Sequence, residues 1–355
     1  MSLASVIARR DVDKESWRYT DIEKILATLP DAVVPEPKPI SLESNATQLV
    51  FIDGVYQPSQ SQYGDLPKDI IQGDAKQGYH LVLAGKTCLV TSPIELLFKS
   101  LSRDEVTMKL NIELGISGRL TLIERHEMGF APHILETNII LHQQAKLVHG
   151  KIINGAIPPH LAHTKVDVAE GAYYDNFALI KGGRLTRNEI DVMMRGKLAQ
   201  CTLNGAMLLR DQDHADTTTR ISHAAPHGTS RQIYKSVIGG KARAVFQGKI
   251  IVAEGAQKTD GHQLSRALLL SDQAEMDAKP ELEIYADDVK CSHGSTVGDL
   301  DENSMFYLRA RGLSEEEARA LLIEGFIGEI IDEIHVPAWR EICRAEVEEW
   351  LHEQN

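Results

Sequence analysis

Aromatic residues are scarce in this sequence, at 5% of its positions. That scarcity argues against a wide β-sandwich core, which leans on large rings, and for a narrow solenoid interior filled by Val, Ile, Leu, Ala and Cys. Clusters of Lys and Arg are missing too, and the formal net charge is -13. A dedicated nucleic-acid binder needs concentrated positive charge to neutralise phosphates, so that class is set aside and the acidity reads as a solubility device. No apolar run approaches the roughly 18 residues that a membrane span needs. Nor does the N-terminus carry the apolar stretch of a secretory leader, because Arg9, Arg10, Asp11 and Asp13 soon interrupt it. Cysteine is sparse: Cys88, Cys201, Cys291 and Cys343 are widely scattered and form no C-x-x-C pair, which suits free thiols in a reducing compartment. The expectation is a cytoplasmic protein with no nucleic-acid or membrane partner.

What is present points to a packed chain. Apolar residues make up 43% and charged residues 25% of 355 positions, close to globular averages. Three regions differ in texture. Residues 1–103 read as a mixed, mostly helical cap. Apolar residues are helically spaced across Ser16–Leu26, Pro30, Pro35, Pro37 and Pro39 mark a linker, and Ser92-Pro93 offers an N-cap and a first helical residue before Ile94, Leu96, Leu97 and Leu101. Residues 104–298 change to short strands with period-two alternation, as in Ile190, Val192, Met194 and then Ala199, Cys201, Leu203. Glycine turns follow at short, fairly even intervals, and Val168-Ala169-Glu170-Gly171-Ala172 recurs as Val252-Ala253-Glu254-Gly255-Ala256. Repeated strand–turn units without intervening helices favour a β-solenoid over a sandwich. Residues 299–355 are helical: Ser314 and Glu317 form a capping box, Pro337 ends one helix, and Val347, Trp350 and Leu351 belong to another. Terminal helices would then cover the solenoid's open rungs.

Chemical motifs are few. Gly85-Lys86-Thr87 resembles the end of a phosphate loop, but His80 stands where the first glycine is required and strand, not helix, follows. Glu124-Arg125-His126-Glu127 lacks the second histidine of a zinc-protease helix. His214, His223 and His227 lie near Asp211, Asp213 and Asp216. They are either turn residues or, if the rungs stack them, ligands for a divalent metal. Cys291 and His293, two residues apart on a strand, face the same side and could supply a soft and a borderline ligand; a buried thiol and a hydrogen-bonded imidazole is the alternative.

The stretch from Tyr285 to Gly298 that holds this pair resembles the signature end of the SufD family of SUF iron–sulfur cluster assembly proteins. Cys201–Gly205, Asp216–Ser230, Arg243–Ile250, Gly255–Asp260 and Phe306–Gly312 resemble the same family's core, and Trp17–Thr20 resembles its N-terminal part more weakly. The resemblance implies a right-handed parallel β-helix between helical terminal regions. It also implies a complex with a paralogous SufB subunit and the ABC-type ATPase SufC. His293 would be a ligand to a nascent iron–sulfur cluster shared with SufB, with Cys291 as its neighbour, and the isolated chain would bind no cluster stably. SufB proteins look as though they place a cysteine in the segment that matches His262 to Leu270; in this chain that segment, which opens within Gly261–Arg266, has none, which favours SufD over a SufB-type paralog. The C-terminal helices resemble the segment that docks SufC, with Leu321, Leu322 and Phe326 as expected contacts. On this reading the chain is a scaffold subunit and not an enzyme in its own right. Two other classes remain open: a carbohydrate-cleaving solenoid enzyme, for which no pair of carboxylates is recognisable, and a metal-free homodimer joined through exposed edge rungs.

Overall fold

Runs such as Val106-Thr107-Met108-Lys109-Leu110 are buried at every second residue. Each can hide only one face, so successive runs stack and share an interior. The computed structural model describes residues 2–29, 47–85, 89–90, 92–127 and 129–352, with backbone only at 9–12. The linker expected at Pro30, Pro35, Pro37 and Pro39, the pair Lys86-Thr87, and Cys88 lie outside the described residues.

Helices α1 (Leu3–Val12) and α2 (Ile22–Ala27) come first. Strands β1 (Thr47–Ile52), β2 (Val55–Tyr56), β3 (Ile71–Asp74), β4 (Gly78–Leu83) and β5 (Ile94–Lys99) follow. The long series is β6 (Val106–Leu114), β7 (Arg119–Glu127), β8 (His133–Leu141), β9 (Lys146–Asn154), β10 (His160–Val168), β11 (Tyr173–Lys181) and β12 (Thr186–Met194). It continues through β13 (Gln200–Leu209), β14 (His214–His223), β15 (Thr229–Ile238), β16 (Arg243–Val252), β17 (Asp260–Leu269), β18 (Glu275–Ile284) and β19 (Lys290–Asp299). Helices α3 (Glu302–Ala310), α4 (Glu315–Ile331) and α5 (Pro337–His352) close the chain.

The strands alternate between two sheets. The ten-stranded sheet runs β19-β17-β15-β13-β11-β9-β7-β5-β1-β2 and the nine-stranded sheet β18-β16-β14-β12-β10-β8-β6-β4-β3. Among the described strands only β1–β2 and β3–β4 pair antiparallel; the long strands pair in parallel, as a β-solenoid requires. Register aligns interior residues in columns. Leu141, Val168, Met194, His223 and Val252 form one of them. The echoed Val168 and Val252 thus occupy the same corner of different turns. A left-handed residue sits two positions ahead of each odd-numbered strand from β7 to β17. Gly171 is one, and Ser117, Gln144, Leu198, His227 and Lys258 take φ values between 56° and 62°.

Several local expectations change. The segment after Ser92-Pro93 is strand β5, not a helix: Ile94 to Phe98 are all buried, and β5 is paired on both sides, by β1 and β7. A strand covered on both faces has no alternation to reveal it. Strands β1, β4 and β5 join the two sheets, so these begin upstream of residue 104, inside the segment expected to be a cap. The helix expected over Ser16–Leu26 shrinks to α2, which starts where the Asp21 side chain accepts from the Lys24 N–H. The Ser314–Glu317 capping box forms as expected. Pro337 opens α5, the position its fixed φ suits, while α4 has already ended at Ile331.

The helices do not cover the open rung. Ile323, Ile327, Ile330 and Ile331 of α4 and Trp339, Cys343, Val347 and Trp350 of α5 pack on Ile152, Phe177, Leu179, Leu208 and Val237, the outer face of the ten-stranded sheet. The N-terminal segment covers the other sheet: Val6, Trp17 and Ile22 pack on Ile134 and Leu161, and the Arg187 guanidinium lies 4.0 Å from the centre of the Trp17 ring. At one end of the solenoid the short antiparallel strands β2 and β3 finish the sheets. At the other, β18 and β19 are the outermost strands, with no further strand paired to either among the described residues. No helix among the described residues is long and apolar enough to cross a membrane.

Candidate functional site

The open end carries the pair singled out above. Alternation along β19 sends Cys291, His293, Ser295 and Val297 to the interior side of the last turn. The register confirms it: Cys291 stacks on Gly261, Ser230, Cys201 and Tyr174, and His293 on Gln263, Gln232, Leu203 and Asn176. His293 is exposed and Cys291 half-buried, because no further turn among the described residues covers them. Cys291 packs at the margin of a small cluster of Ile250, Val252, Ala256 and Ala286. Burial pushes its thiol pKa up, the Asp260 charge acts in the same direction, and a hydrogen bond from the Gly261 backbone opposes them. The thiol is therefore protonated until a metal displaces its proton. Beneath His293, the Gln263 amide donates to the Glu281 carbonyl at 3.1 Å while its own Oε1 is buried without a partner. Two adjacent ligands on an edge strand can hold one side of an iron–sulfur cluster; about four are needed for a complete set.

The expected docking residues do not share one exposed face. Leu321 is 47% exposed, while Leu322 and Phe326 are half-buried. Phe326 is tied to the sheet: the Lys235 ammonium sits 4.6 Å from its ring centre and donates to its carbonyl at 2.6 Å. Phe306 and Tyr307 of α3, at 75% and 57% exposed, were not expected as contacts. Helix α3 has no buried residue and packs beside α4, so these rings and Leu321 give the C-terminal region an exposed apolar surface. An adjacent aromatic pair in a short polar helix, within a chain this poor in aromatics, was the available signal.

The His214 group does not assemble. His214 and His223 begin and end β14, and His227 lies in the following turn. His214 Nε2 is 3.0 Å from Thr20 Oγ1 under the N-terminal segment, and His223 Nε2 meets Ser230 Oγ at 2.8 Å inside the solenoid. Burial holds both imidazole pKa values down, to about 4.

A different polar cluster lies inside the solenoid, on the nine-residue strands β7, β9 and β10. Glu124 is fully buried, 3.0 Å from His126 Nε2, 2.9 Å from His149 Nε2 and 3.6 Å from Lys151 Nζ, and Lys151 donates to Thr164 Oγ1 at 2.7 Å. Burial would raise the Glu124 pKa, but the Lys151 and His149 charges and the two imidazole hydrogen bonds hold it well below the usual carboxylate range. Helical spacing does not reveal this group, because strand alternation turns Glu124 and His126 inward and parallel register stacks Lys151 on Glu124.

Residues 100–326 match the family described as SUF system FeS cluster assembly, SufBD core domain. The chain is 30% identical to the iron–sulfur cluster assembly protein SufD of Escherichia coli, over 90% of this chain and 84% of that protein. It is 28% identical to an iron–sulfur cluster assembly SufBD family protein of Synechocystis, over 90% and 83% of the two chains. The chloroplastic protein ABCI7 of Arabidopsis thaliana is 29% identical, over 90% of this chain and 78% of its own.

Proposed function

The chain belongs to the SufBD family of the SUF iron–sulfur cluster assembly system, and on that premise we propose that it is a non-catalytic scaffold subunit that joins a SufB paralog through its open terminal turn. The observation that carries the reading is the position of β19: His293 and Cys291 stand on the unpaired edge of the ten-stranded sheet. An unpaired edge of this length is a template for another chain. Both outermost strands are ten residues long, so a partner solenoid adding its own terminal turn would continue both sheets. His293 would then face the partner's ligands, with Cys291 beside it. The nascent cluster is cargo, held jointly, and the thiolates this chain lacks come from SufB. Without SufB the same edge would pair two copies of this chain.

We assign docking of the SufC ATPase to the C-terminal helices, through Leu321 with Phe306 and Tyr307, and a lesser part to the half-buried Leu322 and Phe326. A rigid attachment supports this role: α4 and α5 are anchored on the sheet by Trp339 and by the Lys181–Glu346 and Arg125–Glu346 ion pairs, so force applied to them would reach the strands. We place the assembly in the cytoplasm, consistent with free Cys201 and Cys343 in the interior. The test is co-expression with SufB and SufC, anaerobic reconstitution, and assay of iron and acid-labile sulfide. His293→Ala should cut cluster yield while leaving the complex assembled; a wild-type yield removes His293 from the ligand set.

A further inference from the structure

Three imidazoles meet inside the solenoid, away from the open end. His126 lies near the end of β7, and His133 and His160 are the first residues of β8 and β10, stacked in register. Their exposures are 0%, 2% and 0%. One ring nitrogen of each lies within 4.8 Å of the other two. The Nδ1 atoms of His133 and His160 are 3.2 Å apart, with their rings stacked at 9°. Two imidazole nitrogens about 2.0–2.1 Å from a common tetrahedral ion stand about 3.4 Å from one another, so this pair is already near the spacing of two ligands.

The third histidine has the surroundings of a ligand. His126 Nε2 is fixed by the Glu124 carboxylate at 3.0 Å, which leaves Nδ1 buried and without a partner; His160 Nε2 is likewise unpartnered. A carboxylate that orients a histidine from behind is the usual support of a metal-bound imidazole. Buried polar atoms ordinarily find partners, yet His126 Nδ1 and His160 Nε2 have none, and the two Nδ1 atoms of His133 and His160 share a single hydrogen bond that a metal would replace.

We propose that His126, His133 and His160 bind one divalent transition-metal ion of the Zn2+ type within the solenoid, joining β7 of one sheet to β8 and β10 of the other. This ion is distinct from the cluster at His293, and the inference does not depend on the assembly role. The Phe98 ring, stacked on His126 at 4.8 Å, helps to seal the site, so the ion is captured as these turns close during folding.

The test uses the full chain, unfolded in denaturant with a chelator and refolded with Zn2+, then passed through gel filtration for metal analysis. One equivalent should remain, should persist in a Cys291→Ala/His293→Ala variant, and should be lost in His160→Phe, which keeps a stacked ring but no ligand. Refolding with Co2+ adds a readout on the unmodified chain: intense visible absorption of a tetrahedral ion, with X-ray absorption showing imidazole nitrogens at about 2.0 Å. Absence of retained metal in the unmodified chain overturns the proposal, as does metal whose retention depends on Cys291 and His293. Should His160→Phe not fold, the Co2+ spectrum decides alone: imidazole scattering supports the site and its absence sinks it.

Discussion

Substituting Gly150 by Ala probes how the C-terminal helices are seated. A Cβ at Gly150 would lie 2.6 Å from Cε2 and 2.7 Å from Cζ2 of Trp339. Gly150 is paired between Ile123 and Phe177, and Trp339 is fully buried against the same face, edge-on to Phe177 at 6.4 Å. Neither the strand nor the indole can yield easily. Overpacking of this kind costs about 1–3 kcal/mol, offset by about 0.4–1 kcal/mol from the lower entropy of the unfolded alanine chain. Gly150→Ala should therefore destabilise by about 1–2 kcal/mol, seen as a lower urea midpoint in far-ultraviolet circular dichroism. Trp339→Ala should cost more, about 3–5 kcal/mol, because it empties the centre of that layer. The decisive variant carries both. With the indole gone the new methyl enters free space, so in the Trp339→Ala background Gly150→Ala should be neutral or mildly stabilising. Additive effects in the double variant would refute this seating of α5.

Three further outcomes follow from the geometry. Lys151→Met leaves the Glu124 carboxylate buried without its cation and should destabilise by about 3–5 kcal/mol; Glu124→Gln in the same chain should restore part of the loss, measured by the same urea titration. His223 stays neutral in the fold down to about pH 4 because it is buried, whereas the unfolded chain takes up its proton near pH 6.5. Its contribution is thus whole above about pH 6.5 and lost as pH falls towards 4, at about 1.4 kcal/mol per pH unit once protonation of the unfolded chain is complete. His223→Gln should flatten the acid limb by about one proton, and an unchanged slope contradicts the assignment. Leu321→Asp, on an exposed position, should weaken SufC binding at least tenfold in a pull-down titration while leaving thermal unfolding unchanged; the same change at Phe326 should also lower stability, since Lys235 and the sheet hold that ring.

The solenoid was legible because its signals are local and repeated: alternation, the Val168 and Val252 echoes, and few rings. Its period was harder to read because the turn device tolerates side chains. Among the six left-handed positions before the odd-numbered strands from β7 to β17 only Gly171 is glycine, and Leu198 or Lys258 announces no turn. Strand β5 was hidden by burial on both faces. Cys291 and His293 could be paired from spacing alone, since two residues along a strand share a side. Nothing in that spacing told that they stand on an open edge, which is a property of where stacking stops. The buried cluster of Glu124, His126, His133, His149, Lys151 and His160 needed the register between turns to be seen at all.

The central claim, that the last turn is the surface which meets a partner solenoid, is tested most directly by amide hydrogen exchange of this chain with and without SufB. At concentrations low enough to keep the chain without SufB monomeric, the backbone of β18 and β19 should exchange rapidly and become protected in the complex, with α4 and α5 unchanged until SufC is added. Protection confined to the helices or to the outer faces of the sheets, with β19 still exchanging freely, would contradict it.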